Sequence, residues 1–509
     1  MPDVLDQLND EQRNAALQIE GPQLILAGAG SGKTRTVTHK IAWMIEENID
    51  PSSILAITFT NKAANEMKSR INTLVGEDGS KVTAKTFHSF CYQILRKSFK
   101  RAGLKANFSI YTDKEQRALY KGIFADFDDR ISLDLRTVIS EVSKAKNDMV
   151  SPETLVSQAA NVFDQEIAFI YDVYQKRLIT NNAVDFDDLL ILANNVLEDK
   201  AILEYWQDRY KYIFVDEFQD TSYSQLNLIQ KLVEGWQQDD GKTIFFVGDP
   251  MQSIYKFRES QVGIFLEVVR SGIANLDIKP LILSTNFRST QSIVRENNEI
   301  FANIFPNEDN LILGSIHYSK STPFSKEEQK NAISFYVFSP NQDQEEAEEI
   351  VKIIKQSLLR NQEKEIAVLV RSRSHLSQVS SALQKNNINF ESLKTESLRS
   401  NLFTRDLLSL TRALLSLSDK LAWLSILRAP WCGLKLKDLL ALSKISHQTI
   451  FNQLMNVESV QNLSADGIKR AQHIFLATKE AIFSEGQFTF VERFSFVLEM
   501  LCKDHYLEE

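Results

Sequence analysis

Five short apolar runs limit the folds open to this chain: Leu24-Ile25-Leu26-Ala27, Ile54-Leu55-Ala56-Ile57, Tyr212-Ile213-Phe214-Val215, Ile244-Phe245-Phe246-Val247 and Leu281-Ile282-Leu283. Each ends abruptly in polar or glycine-rich residues. Runs of this length, rich in β-branched and aromatic residues and without alternation, read as strands buried on both faces. Helical patterns stand between them, as at Lys33 to Glu47 and Lys62 to Leu74. Such alternation predicts an α/β fold, a parallel sheet covered by helices on both faces, whose ligands lie beyond the carboxyl ends of the strands. The polar clusters of this sequence all fall at such ends.

From about 95 to 200 the strand signal disappears. Lys114 to Phe124, Pro152 to Asn161 and Ile167 to Leu178 look helical, so this stretch reads as an α-helical insertion. A second strand-bearing region is expected after about 285, with strands at Ile333-Ser334-Phe335-Tyr336-Val337 and Ile366-Ala367-Val368-Leu369-Val370. Between them a helix is expected to open on the acidic run Asp343-Gln344-Glu345-Glu346-Ala347-Glu348-Glu349, read as a solvated face. From about 376 onward the chain looks helical, as at Thr404 to Ser416, and carries no recognisable chemistry.

Composition narrows the class. At roughly 150 residues per domain, 509 residues suggest three to four domains. A hydrophobic share of 43% and a charged share of 25% argue against a disordered or fibrous chain. No run approaches 18 apolar residues, so no membrane span is expected. The acidic start Met1-Pro2-Asp3-Val4-Leu5-Asp6 does not read as a secretory signal. Cys91, Cys432 and Cys502 are odd in number and far apart, which favours a reducing cytoplasm over a disulfide framework or a metal site.

After the first strand comes Ala27-Gly28-Ala29-Gly30-Ser31-Gly32-Lys33-Thr34, which reads as a phosphate-binding loop. Glycines let backbone N–H groups wrap phosphates at the start of the next helix. Lys33 would meet the β/γ-phosphates and the Thr34 hydroxyl would ligate Mg²⁺. Ala27 stands where the usual pattern has glycine. A hydrolysing nucleotide site also needs acids on a neighbouring strand, and Val215-Asp216-Glu217-Phe218-Gln219-Asp220 supplies them. Asp216 would hold Mg²⁺ and Glu217 would orient or deprotonate the attacking water. An Asp-Glu pair alone is weak, because such pairs are common on surfaces; its place at a strand end gives it weight.

The next strand ends in Gly248-Asp249-Pro250-Met251-Gln252, followed by Tyr255, Phe257 and Arg258. Gln252 would sense the γ-phosphate. Rings beside a cation suit single-stranded nucleic acid, whose bases stack and whose backbone is anionic, although in isolation Tyr255 and Phe257 read more readily as core. Thr58-Phe59-Thr60-Asn61-Lys62 and Thr86-Phe87-His88-Ser89-Phe90 offer similar clusters, and a lone His88 is more often structural than a ligand. The net charge of −9 argues mildly against nucleic acid. Locally the balance reverses: Asn61 to Arg101 carries nine basic residues and three acids, a balance of +6.

Taken in order, these residues resemble the superfamily 1A DNA helicases of the UvrD/Rep/PcrA type. Leu8-Asn9-Asp10-Glu11-Gln12 resembles their adenine-reading motif. It is followed by the phosphate loop with Arg35, Thr58 to Ala64, Thr86-Phe87-His88, Asp185-Phe186-Asp187-Asp188, Asp216 to Asp220, Gly248 to Arg258, and Asn286-Phe287-Arg288-Ser289. The resemblance implies RecA-like P-loop NTPase motor domains. It places a first motor domain over 1–95 and 196–285, a helical insertion over 96–195 and the start of a second motor domain over 286–375. Residues 376–509 would be an incomplete helical accessory domain. ATP with Mg²⁺ would bind between motor domains and single-stranded DNA would cross the top.

Residue by residue, Gln12 would read adenine and Arg35 would lie by the nucleotide. Gly28, Ala29, Gly30, Ser31 and Gly32 would wrap its phosphates. Phe287 would stack on the base, where many relatives have Tyr, and Arg288 would stabilise charge on the transferring phosphoryl group. Phe59, Thr60, Asn61, Thr86, His88, Tyr255, Phe257 and Arg258 would face DNA. The implied activity is ATP-dependent 3′→5′ helicase action on single-stranded DNA and its junctions with duplex, with repair or recombination proteins as partners. Gly248 to Gln252 and Leu427-Arg428-Ala429-Pro430 resemble the RecB/AddA helicase–nuclease branch more. The family's last two motifs have no counterpart near the C-terminus. A truncated chain, acting as an ATP-responsive DNA-binding module, is therefore the alternative expectation.

Overall fold

The computed structural model describes residues 4–127, 130–254, 262–310, 314–328, 332–360, 365–391, 402–444, 448–484 and 486–502. The chain divides into two compact units, Met1–Phe335 and Tyr336–Glu509.

The first unit is built on six parallel strands: β1 Gln23–Ala27, β2 Ile54–Thr58, β3 Thr83–Thr86, β4 Tyr212–Val215, β5 Thr243–Gly248 and β6 Pro280–Leu283, in the order β3-β2-β4-β5-β1-β6. Burial on both faces is visible in how successive residues divide. Leu24, Leu55, Ile57, Ile213, Val215, Ile244 and Phe246 pack into one core cluster. Ile25, Ala27, Ile54, Ala56, Phe214, Phe245 and Val247 pack into another on the opposite face. Each such side chain removed from water contributes about 1.5–3 kcal/mol, which is why these runs need no polar alternation.

Helices α1 Asp10–Leu17, α2 Lys33–Glu46, α3 Asn61–Val75 and α4 Phe87–Ser98 connect or precede the strands. The α2 connection carries the chain from β1 past β5 and β4 to β2. β1 therefore has β5 on one side and β6 on the other, both from late in the unit. Such a switch in strand order opens a crevice at the carboxyl ends.

One sheet edge departs from expectation and the other was not foreseen. The run at Leu281 was expected to be buried on both faces, but β6 is an edge strand with Ile282 59% exposed and only Leu283 buried. The opposite edge, β3, gives no apolar run at all, because Thr83-Ala84-Lys85-Thr86 needs to satisfy one neighbour only.

Between α4 and β4 the chain forms the expected helices, among them Asp113–Asp126, Leu135–Asn147, Pro152–Gln158, Val162–Thr180 and Phe186–Val196. The first four share a core that includes Ile123, Val138, Val142 and Ile170, with Tyr120 and Tyr174 stacked at 4.1 Å, whereas Phe186–Val196 packs through Leu189, Leu190 and Ala193 into the core of the sheet. One short ladder interrupts the helices, Ser109–Ile110 parallel to Ala183–Val184, too brief to leave a strand signal.

The second unit is helical where described, including Asp343–Arg360, Leu376–Lys385, Leu402–Leu415, Lys420–Arg428 and Ala465–Phe483. The acidic run opens the first of these, where the helix dipole favours negative charge. The strands expected at Ile333–Val337 and Ile366–Val370 do not form ladders among the described residues. Val337 and Leu369 are each 93% exposed. An apolar run becomes a strand only where a neighbour accepts its backbone hydrogen bonds, and none is described there. No helix among the described residues is long and apolar enough to cross a membrane.

Candidate nucleotide site

The loop after β1 turns through two left-handed glycines, Gly30 (φ +72°) and Gly32 (φ +80°). A Cβ on Gly30 would come within 2.6 Å of Asn286 Oδ1, and one on Gly32 within 2.5 Å of Gln12 Nε2. Positive φ favours glycine at both places, and a side chain at either would displace Asn286 or Gln12. Ala27 is different: it ends β1 as ordinary buried strand, so a methyl group is accommodated where the usual pattern has glycine. The loop is braced by Ser31, whose N–H and hydroxyl both donate to Gly28 O, at 3.2 and 2.7 Å. Gly32 caps α2 without a side chain, leaving the first N–H groups of that helix available to an anion. Lys33 folds back over the loop and donates to Ala27 O at 3.3 Å.

β4 delivers the acids. Asp216 N donates to Ile57 O at 2.8 Å, extending the ladder by one residue and aiming the Asp216 side chain off the strand end. Thr34, 182 residues away in sequence, donates from Oγ1 to Asp216 Oδ2 at 3.4 Å. Burial, then the neighbouring Glu217 charge, pushes the Asp216 carboxyl up to about 7. A cation between Thr34 and Asp216 would relieve that cost, so the donor set fits Mg²⁺. Glu217 is left-handed (φ 54°, ψ 42°), a strained state for a residue with a Cβ that costs of order 1–3 kcal/mol and marks a site worth testing for function. Burial also raises Asp220, up to about 6, and Asp249.

Gln219 links the tips of β4 and β5. Its Nε2 donates to Glu217 Oε2 at 2.8 Å and its Oε1 accepts from Asp249 N at 2.9 Å. A Cβ on Gly248 would meet Gln219 Oε1 at 2.5 Å, so a side chain there would push the Gln219 amide off Asp249 N. Asp249 caps Met251 N at 3.0 Å, and Gln252 Nε2 donates to the same carboxylate.

Past β6, Asn286 Oδ1 accepts from Arg288 N and Ser289 N, each at 2.9 Å, and Phe287 N donates to Gly30 O at 2.9 Å. Residues 286–288 therefore lie directly on the phosphate loop, with the Phe287 ring 4.8 Å from that of Phe324. From the other side, Gln12 is buried and its Nε2 donates to Ser31 O at 2.8 Å, while its Oε1 accepts from Asn9 N at 3.2 Å. Arg35 is exposed and donates to Gln7 Oε1 at 3.2 Å. The sheet thus gathers Gln12, residues 27–35, Asp216, Glu217, Gln252, Phe287 and Arg288 at one end. A cavity of about 90 Å³ behind the loop, lined in part by Gly28, Asp249 and Ser321, is too small for a nucleotide, which needs roughly 300 Å³ or more.

The second group of candidates lies at the ends of β2 and β3. Thr60 caps α3 by accepting from Ala63 N, and Thr86 caps α4 by accepting from Ser89 N. Ser89 Oγ lies 3.5 Å from Asn61 Oδ1, so the two helix starts sit side by side. Phe59 is half-buried, and His88 meets Phe186 edge-on at 5.8 Å between ring centres. Tyr255, Phe257 and Arg258 lie outside the described residues.

The sequence reading passed over Gln219, Asn286 and Glu11. Asn286 stands two before Arg288, a spacing that suits a side chain bonding the backbone nearby, whereas Gln219 bonds the Glu217 side chain and, across to β5, Asp249 N. Only the tertiary fold reveals Glu11, whose partners Ser284 and Thr285 are more than 270 residues away.

Residues 8–271 match the UvrD/REP helicase N-terminal domain, and residues 281–465 the UvrD-like helicase C-terminal domain. The chain is similar to the ATP-dependent DNA helicase PcrA of Staphylococcus epidermidis, at 33% identity over 438 residues, which is 85% of this chain and 57% of that protein. It is similar to the ATP-dependent DNA helicase PcrA of Bacillus subtilis at 31% over 470 residues, 91% of this chain and 60% of the relative. The Staphylococcus aureus protein of the same name gives 32% over 434 residues, 84% of this chain and 57% of the relative. The chain thus spans 57 to 60% of the length of these curated relatives.

Proposed function

Because the chain belongs to the UvrD/Rep helicase family, with its RecA-like P-loop fold, we propose that its first unit binds ATP with Mg²⁺ and hydrolyses it to drive movement along DNA. The observation that carries this reading is the Thr34–Asp216 approach at 3.4 Å, which joins the phosphate loop to the acidic strand tip. The loop N–H groups and Lys33 hold the β/γ-phosphates. Thr34 and Asp216 would hold Mg²⁺, which would supply positive charge to offset the phosphates. Glu217, kept in place by Gln219, orients water for in-line attack on the γ-phosphate. Gln252 and Arg288 respond to that phosphate, and Gln12, Arg35 and Phe287 hold the base side.

DNA then lies over the ends of β2 and β3, where Phe59 offers a ring and the starts of α3 and α4 offer N–H groups to the backbone. Thr60, Asn61, Thr86 and His88 belong to that surface, with Tyr255, Phe257 and Arg258 as further contacts. The 3′→5′ polarity, the junction preference, a role in repair or recombination and the motor-domain boundaries given above belong to this proposal too. PcrA in name, the relatives favour the UvrD/Rep/PcrA branch for it.

The test is titration with a fluorescent ATP analogue and Mg²⁺, followed by hydrolysis with and without single-stranded DNA. Wild type should bind, and Lys33→Ala should lose hydrolysis entirely. Hydrolysis that survives Lys33→Ala would show that the phosphate loop has been misassigned.

A further inference from the structure

We propose that Glu11 is a positioning residue that holds the Phe287–Arg288 segment against the phosphate loop, an assignment that rests on the nucleotide reading above. Glu11 is the second residue of α1. Its Oε2 accepts from Ser284 N at 3.0 Å and from Thr285 N and Oγ1 at 3.4 Å each, and its Oε1 accepts from Ser284 Oγ at 2.7 Å. Asn9 Nδ2 adds a contact to Thr285 Oγ1 at 3.4 Å. Ser284 and Thr285 are the two residues that lead from β6 into Asn286, Phe287 and Arg288. Hydrogen bonds to a charged group are stronger than neutral ones, so this carboxylate is a firm clamp on a short connector.

The clamp has a fixed base. Gln12, the next residue of α1, touches the phosphate loop through Ser31 O. At its other end α1 has no basic residue in its last turn, where a positive charge would answer the free carbonyls. Lys40 of α2 answers them with hydrogen bonds, although burial pushes its ammonium down to about 7: its Nζ donates to Ala15 O at 3.1 Å, to Gln18 O, and to Gln23 Oε1 at 2.7 Å. α1 is thereby tied to the helix that follows the phosphate loop, and Glu11 passes that fixed position to the connector. On its far side the connector pairs in parallel with Thr322–Pro323, so the α1 side is where it can be released. Without Glu11 the connector keeps that ladder and the weaker Asn9 contact, and the Phe287 N–H to Gly30 O bond and the placement of Arg288 lose their charged brace on the α1 side.

The experiment compares the affinities of the full chain, with Mg²⁺, for fluorescent ADP and for the β,γ-imido analogue of ATP. Wild type, Glu11→Ala, Arg288→Ala and the double variant are measured. Arg288→Ala should reduce the preference for triphosphate over diphosphate about tenfold. Glu11→Ala should reduce the same preference by a similar factor and also weaken ADP modestly through Phe287, and the double variant should show no lower preference than Arg288→Ala. Should Glu11→Ala fail to fold, Glu11→Gln, which keeps the shape and removes the charge, is read in the same way. If Arg288→Ala lowers the preference and the Glu11 variant does not, or if the two losses add in full, the positioning role is overturned. If Arg288→Ala itself changes nothing, the reading of Arg288 falls and this proposal with it.

Discussion

Glu217 was legible as an acid at a strand tip, but its left-handed backbone was not, because nothing in Val-Asp-Glu-Phe-Gln-Asp announces positive φ. That conformation turns the Glu217 side chain away from the strand direction and toward Gln219. Glu217→Gln keeps the size and loses the carboxylate. It should retain nucleotide affinity while lowering turnover about 10²–10⁴-fold, the range for a positioned base. Turnover near wild type in a steady-state assay would remove Glu217 from the reaction.

His39, on α2, gives a second residue-scale prediction. Burial pushes its imidazole below the usual 6.5, and the nearby Arg35 and Arg70 charges push the same way against a hydrogen bond to Arg35 O at 2.8 Å. Below pH 6.5 the unfolded chain binds a proton that the folded chain resists, so stability should fall as pH falls through that region. His39→Gln should flatten the pH dependence of the melting temperature below pH 6.5. An unchanged slope would mean that other groups set it.

At the scale of elements, the sequence revealed strands wherever both faces are buried, found edge strand β6 but misjudged its burial, missed edge strand β3, and offered a run at Ile333–Val337 that forms no described ladder. It revealed helices well, but not what joins the insertion to the sheet. That joint is Lys146, at the end of helix Leu135–Asn147, buried with Asp185 at 2.6 Å and Asp188 at 2.8 Å, both at the start of helix Phe186–Val196. Tyr174 OH donates to Asp185 at 2.9 Å and Gln175 Nε2 to Asp188 at 2.8 Å, completing the set. The two aspartates hold Lys146 well above the usual lysine range despite its burial. Their spacing in Asp185-Phe186-Asp187-Asp188 was visible, but the cation lies 39 residues upstream. Lys146→Met would strand two buried carboxylates, at a cost of about 3–5 kcal/mol. Urea unfolding of the full chain should register that loss. A variant within 1 kcal/mol of wild type would mean that the carboxylates find other partners.

For the molecule as a whole, the question is how much chain the nucleotide site needs. Gln12, residues 27–35, Asp216, Glu217, Gln219, Gln252 and Asn286 to Arg288 all fall within Met1–Phe335, as do the Glu11 clamp and the Thr322–Pro323 strand that brace residues 284–288. The two largest hydrophobic clusters of that unit, one on each face of the sheet, take no residue from beyond Ile278 and Leu283. The second unit has its own core around Trp423, Ile426, Phe451 and Ile474. A fragment ending at Phe335 should therefore fold and bind the fluorescent ATP analogue with Mg²⁺ at an affinity within about threefold of the 509-residue chain. Ending the fragment at Lys279 instead removes β6, the connector and Arg288. That shorter piece should bind the analogue far more weakly, because the loop loses the Phe287 N–H contact to Gly30 and β1 loses its outer neighbour. Tight binding by the shorter piece would place the site on the phosphate loop alone. Weak binding by a folded Met1–Phe335 fragment would instead show that residues past 335 complete the pocket.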